Sequence, residues 1–188
     1  MRDWRAGQPG TPLPVEGEAG LFLVPGTPDP APLEVAAGGG PDLPADWVLY
    51  DAPPGWNAEL AALMARADCV LSPLEADFLG LNGVSRLMQQ MQEAGVPWSR
   101  LALLICRYSD RLAVHREVRA RLAEHFGTQG LLPHVIRNSV RLAEAPGLGV
   151  TVFRHAPRST GAADYAALAR HLLAAQPRPG RTRKGASA

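Results

Sequence analysis

Short apolar runs alternate along the chain with longer segments whose apolar residues recur every three or four positions. The runs lie at 21–24, 47–50, 69–71, 101–105 and 135–136, with a weaker one at 150–153, and each is short enough to be a strand. Helical period marks 57–67, 79–94, 114–126 and 162–175 between and after them. In the second of these, Leu81, Val84, Leu87, Met88 and Met91 fall on one face, which predicts a helix packed on a sheet with the methionines as core filling. Gly95 and Pro97 stop that helix. Strands alternating with helices predict an α/β fold, a mostly parallel sheet flanked by helices. No internal repeat is present.

The 188 residues, 46% of them hydrophobic, suffice for one good core. Prolines and glycines crowd the front, so 1–20 reads as a Pro/Gly-rich segment, 21–175 as the α/β domain and 176–188 as a basic flexible tail. Cys69 and Cys106 sit in apolar runs and are expected to be buried strand residues, not a disulfide or metal pair. No apolar stretch is long enough to span a bilayer and MRDWRAGQPG is no signal peptide, so a cytoplasmic protein, nucleoid-associated if it meets DNA, is expected.

The net charge of +1 conceals an asymmetry. Residues 1–99 carry four Arg against thirteen Asp and Glu, residues 100–158 ten Arg against four acids, and residues 159–188 five basic residues against one acid. An anionic partner for the second half follows, unless folding intermixes the two sets on solvated faces. Enzyme signals are weak. The five histidines show no metal-ligand spacing, no Gly-x-Ser-x-Gly elbow occurs, and no catalytic or metal residue is assigned. In WVLYDAPPG, Asp51 follows an apolar run and precedes two prolines, which reads as a Walker-B-like position at a strand end or as a turn aspartate. Trp56, just beyond, is either an interface anchor or a residue packed on the next helix.

Longer motifs narrow the choice. ADCVLSPLEADFLGLNGVSRLM, RYSDRLAVHREVRARLAEHFG and VIRNSVRLAEAPGLGVTVFRHAPRSTGAADYAALA follow in an order and spacing that resemble the ParA/Soj, MinD-like, chromosome and plasmid partition ATPases over about 21–175. The matching features are a strand ending in proline before a Leu-x-Gly-x-Ser helix, a Tyr-Asp-x-Arg loop, a Val-Arg-Leu-Ser-Glu-Ala-Pro segment and an Arg-Gly-Ala-x-x-Tyr helix start. The resemblance implies a SIMIBI-type P-loop NTPase domain, here truncated. A P-loop needs a glycine-rich turn, a lysine and a Ser/Thr. The only lysine is Lys184, and Gly38, Gly39 and Gly40 run into Pro41, so the expectation is that the front third is missing.

The resemblance carries over unevenly. Asp51 matches the family's magnesium- and water-ordering acid, and Asn138 the residue of a Pro-Arg-Asn triplet that meets adenine, with Arg137 in the proline position. Without the P-loop, neither ATP nor magnesium is expected as a cofactor. DNA contacts fare better. The family's nonspecific DNA-binding arginines correspond to Arg111 and Arg141, and Arg107, Arg116, Arg119, Arg154 and Arg158 would widen the patch unless Asp110, Glu117 or Glu144 pair with some of them. In the complete family ATP makes the DNA-binding dimer, so loss of that switch implies constitutive, weak or partner-dependent binding.

The expected protein is a nonenzymatic accessory or orphan of segregation or replication control that binds double-stranded DNA nonspecifically, a ParB-like or ParA-like protein, or both. Two alternatives stay open: a truncated or late-start form of a genuine ParA ATPase, and a protein-interaction module with no DNA binding, in which a second copy, as a homodimer, or a complete ParA covers the exposed sheet edge.

Overall fold

The computed structural model describes residues 12–24, 45–52 and 55–175. The chain divides into two compact units, Met1–Arg66 and Ala67–Ala188. In the first, two-residue strands β1 (Leu13–Pro14) and β2 (Phe22–Leu23) pair antiparallel. The connecting turn uses Gly17 and Gly20, both at φ 79°, and Val15 N–H donates to the Leu21 carbonyl at 3.0 Å. Helix α1 (Ala58–Arg66) begins where the Asn57 side-chain oxygen accepts the Leu60 N–H at 2.7 Å.

Two of the expected strands differ here. The run at 21–24 joins this hairpin instead of a parallel sheet, because residues 13–14 supply its partner. The run at 47–50 has no regular structure, and Leu49 is 85% exposed. A strand needs a neighbouring strand for its ladder of hydrogen bonds, and this segment belongs to neither sheet of the described residues.

The second unit is built on a parallel sheet in the order β3 (Val70–Glu75), β4 (Leu101–Tyr108), β5 (Leu131–Arg137). Helices α2 (Phe78–Glu93) and α3 (Ala113–Gly130) make the two crossovers. Right-handed crossovers between consecutive neighbouring strands put both helices on one face. Then come α4 (Val140–Gly147), α5 (Val152–His155) and α6 (Thr160–Ala175).

Central β4 is buried from Leu101 to Ile105 on both faces, as a covered parallel strand must be. Ala102 and Leu104 join Leu132, Ile136 and Leu168 in one cluster, so α6 covers that face. Alternation turns Leu101, Leu103 and Ile105 to the opposite face, where Val118 and Leu122 of α3 and Met91 of α2 are buried. The α2 stripe follows its periodicity: Val84 and Met91 are buried and Leu81, Leu87 and Met88 half-buried.

Local chemistry fixes the ends of α2. Asp77 accepts the Gly80 N–H at 2.7 Å, and a Cβ on Gly80 would stand 2.1 Å from the Glu75 carbonyl oxygen, so the strand-to-helix turn closes only over glycine. At the other end Gly95, at φ 68°, donates to the Gln92 carbonyl while Val96 N–H reaches Met91, a Schellman ending. The segment at 150–153 is not a strand: Thr151 caps the short α5 through the Arg154 N–H. Cys69 precedes β3 and is exposed, whereas Cys106 is half-buried in β4, where burial first and Glu75 second push its thiol up.

Candidate nucleic-acid interface

Because β4 and β5 are parallel neighbours, the loops leaving their carboxyl ends emerge side by side. Register pairs Tyr108 with Arg137, and the Asn138 N–H extends the ladder to the Tyr108 carbonyl at 3.1 Å. Arg107 is a non-glycine residue at φ 53°, inside the register shift between Ile105 and Tyr108. This bulge re-aims the strand end and holds left-handed strain there. Its side chain is 70% exposed and meets Glu75 of β3 at 3.5 Å.

The β4–α3 loop is pinned from inside. Ser109 N–H donates to His115 Nδ1 at 3.0 Å, the His115 ring lies 5.8 Å from that of Tyr108, and Arg119 stacks over Tyr108 at 5.4 Å. Arg116 donates to the Asp110 carbonyl, and Glu117 pairs with Arg121 at 2.7 Å. Arg111 is exposed at the loop tip. No ion pair to it occurs among the described residues.

After β5, Arg137 turns back on α6. Its Nε and Nη2 grip both carboxylate oxygens of Asp164, with the shortest contact 2.6 Å, and its backbone N–H adds a bond of 2.9 Å. Asp164 is the buried acid of the second unit's helix face, with a side chain 10% exposed against 43% for Arg137. That carboxylate raises the Arg137 guanidinium pKa, chiefly by hydrogen bonding. One turn on, Arg141 of α4 pairs with Glu144 at 2.7 Å, and the same oxygen meets His155 Nε2 of α5 at 2.9 Å. His155 first and Arg141 second hold the Glu144 carboxyl below the usual carboxylate range. Beneath lies a cluster of Ala145, Val152, Ala162 and Leu142, and a Cβ on Gly161 would come within 2.6 Å of Leu142 Cγ, so α4 and α6 touch closely. Arg154 and Arg158 are exposed farther along.

A cleft of about 340 Å³ opens between these loops, with Ile136 and Leu142 among its apolar lining and Arg107, Asn138, Ser139 and Tyr165 among its polar lining. Burial, before the influence of Cys106, raises the Tyr165 hydroxyl. Asn138 is exposed. Asp51 and Trp56 belong to the first unit, Asp51 exposed after its irregular segment and Trp56 half-buried just before the α1 cap. Among the described residues no three His, Cys, Asp or Glu side chains converge as metal ligands, and no helix is long and apolar enough to cross a membrane.

Sequence reasoning missed the Arg137–Asp164 clamp and the His155–Glu144 contact. The first left a trace: Asp164 lies four residues before Leu168 on the buried side of α6, and an acid on an apolar stripe calls for a partner.

A family model described as "Cellulose biosynthesis protein BcsQ" matches residues 43–173. The chain is 37% identical over 167 residues to the chromosome-partitioning ATPase Soj of Thermus thermophilus, a match covering 82% of this chain and 67% of that protein. An uncharacterized protein of Pseudomonas putida is 35% identical over 141 residues, 73% of this chain and 53% of its own. The chromosome partitioning protein ParA of Caulobacter vibrioides is 31% identical over 134 residues, 69% of this chain and 50% of its own. These matches span about two thirds of the Soj protein and about half of the other two relatives. The partition-protein motifs, the parallel sheet with its helices and these similarities agree: the chain belongs to the ParA/MinD-like family of partition ATPases.

Proposed function

We propose that this chain is a ParA-like accessory protein of DNA segregation or replication control that binds duplex DNA without sequence preference and does not itself hydrolyse ATP. The observation that carries the reading is the juxtaposition of exposed arginines around the carboxyl ends of two neighbouring strands: Arg107 at the end of β4, Arg111 in the loop after it, Arg116 in the first turn of α3 and Arg141 in the first turn of α4. Planar, permanently charged guanidinium groups suit phosphate oxygens, and phosphate contacts carry no sequence information. The likeness to the Thermus and Caulobacter relatives, both named as chromosome-partitioning proteins, supports the segregation setting. A ParB-like or ParA-like protein, or a second copy, is the proposed protein partner.

The donor set does not fit a triphosphate with magnesium. The 188 residues contain no glycine-rich turn followed by Lys and Ser/Thr, and Arg137 at the cleft is already engaged by Asp164. Asp51 and Asn138 therefore take no chemical role in this reading. Retarded migration of an arbitrary duplex at low salt is the expected result, and Arg111→Ala with Arg141→Ala should flatten the salt dependence by about 0.9 per lost phosphate contact. Unchanged binding by the double variant would overturn the assigned face.

A second reading, a protein-interaction module, is favoured by the outer edge of β3. That edge is unpaired among the described residues, and Leu71, Phe78 and Leu79 nearby in sequence are exposed, Leu79 at 79%. Light scattering that finds only monomer at high concentration argues against self-association.

A further inference from the structure

The two arginines central to that reading are not equivalent. Arg111 stands exposed at a loop tip with no ion pair among the described residues, whereas Arg141 is already paired. Arg141 and Glu144 lie one turn apart on α4, and their contact is 2.7 Å. An exposed pair of this kind ordinarily contributes little, because both long side chains must be ordered to make it. Here one partner is ordered in advance. The same Oε2 of Glu144 meets His155 Nε2 at 2.9 Å, and the His155 side chain is only 20% exposed. His155 is anchored in turn by α5, whose Val152 is buried with Ala145 of α4 and Ala162 of α6. The carboxylate is thus fixed over the guanidinium instead of swinging free. Its ionised form is favoured by both neighbours.

We infer that Glu144, oriented by His155, is a positioning residue that masks Arg141 and holds down the affinity of the arginine face for DNA. A phosphate approaching Arg141 has to share the guanidinium with a carboxylate and meets that carboxylate's own negative charge. Arg111 then makes the first, unmasked contact, and Arg141 engages only in competition with Glu144. The device keeps binding weak and readily reversible, and it needs no bound nucleotide. The inference rests on the DNA-binding reading above.

Fluorescence anisotropy with a labelled duplex of arbitrary sequence tests both and separates them. At about 100 mM salt, Glu144→Gln is expected to tighten binding by up to about fivefold, the range of one exposed ion pair, and to steepen the salt dependence by up to about 0.9. Glu144→Asp, which keeps the charge, should stay near the wild-type affinity. In an Arg141→Ala background the gain from Glu144→Gln should vanish. Glu144→Ala makes the same charge change if the Gln variant does not fold. Absence of wild-type binding even at low salt defeats the DNA reading and this inference together. Wild-type binding that Glu144→Gln and Glu144→Ala leave unchanged or weaken overturns the masking role alone. So does a gain that persists without Arg141.

Discussion

Replacing Asp164 by Ala tests how the β5 end is held. The substitution removes every acceptor of the Arg137 clamp: bonds of 3.0 and 2.6 Å to Nε and Nη2, and one of 2.9 Å to the Arg137 N–H. Breaking a fully buried pair by deleting one partner destabilises by about 3–5 kcal/mol. The loss here is smaller, because the orphaned Arg137 side chain is 43% exposed and water can take over its guanidinium. What is left is the charge-assisted bond from the backbone N–H and part of the ion pair, about 2–3 kcal/mol together. The reverse deletion is harsher. Arg137→Ala leaves a carboxylate only 10% exposed without its cation, which places the loss at the upper end, about 3–5 kcal/mol. Urea unfolding followed by circular dichroism gives both values from the midpoints at constant slope. For the second unit, Asp164→Ala corresponds to a fall in Tm of about 6–12 °C. A change below about 0.5 kcal/mol, the level of ordinary surface substitutions, would refute the clamp. Asp164→Ala proving more damaging than Arg137→Ala would refute the burial argument.

Two further outcomes follow from the same surface. Glu144 has a folded pKa below its ordinary value of 4.5, so its stabilising contribution is fully present above that value and is lost as pH falls through the lowered folded one; urea midpoints from neutral pH into the acid range should show that loss in the wild type and not in Glu144→Gln. Arg107→Gly relieves a left-handed strain of about 1–2 kcal/mol and gives up only a 3.5 Å contact between exposed side chains, so it should unfold at higher urea while binding DNA less tightly.

The alternation of runs and periodic segments located the central frame because each element there is both patterned and partnered. Residues 101–105 were legible as a strand since five successive apolar residues fit a strand covered on both faces, and the α2 stripe since its buried side repeats at helical spacing. Periodicity has no view of neighbours, which is why 47–50 read as a strand. In 150–153, β-branched residues outweighed the signals of a new helix, Gly149 at φ 64° and the Thr151 cap. Helix α4 was hidden by Pro146 and Gly147, which look like a break but occupy its last turn, where Gly149 and Val150 close a Schellman ending on Pro146 and Ala145. At the interface the arginines were legible as residue types. Glu144 and Glu117, which pair with Arg141 and Arg121, were legible as nearby acids; the Asp164 partner of Arg137 and the His155 contact of Glu144 were not, because Asp164 is 27 residues from Arg137 and His155 is 11 from Glu144.

The most direct test of the central claim is the affinity of the wild-type chain for two unrelated duplexes as salt rises, measured with and without ATP and magnesium. The account predicts the same affinity for both sequences, a linear fall of log K against log salt, and no response to nucleotide. Binding that appears only with ATP, or none at the lowest salt, would contradict it.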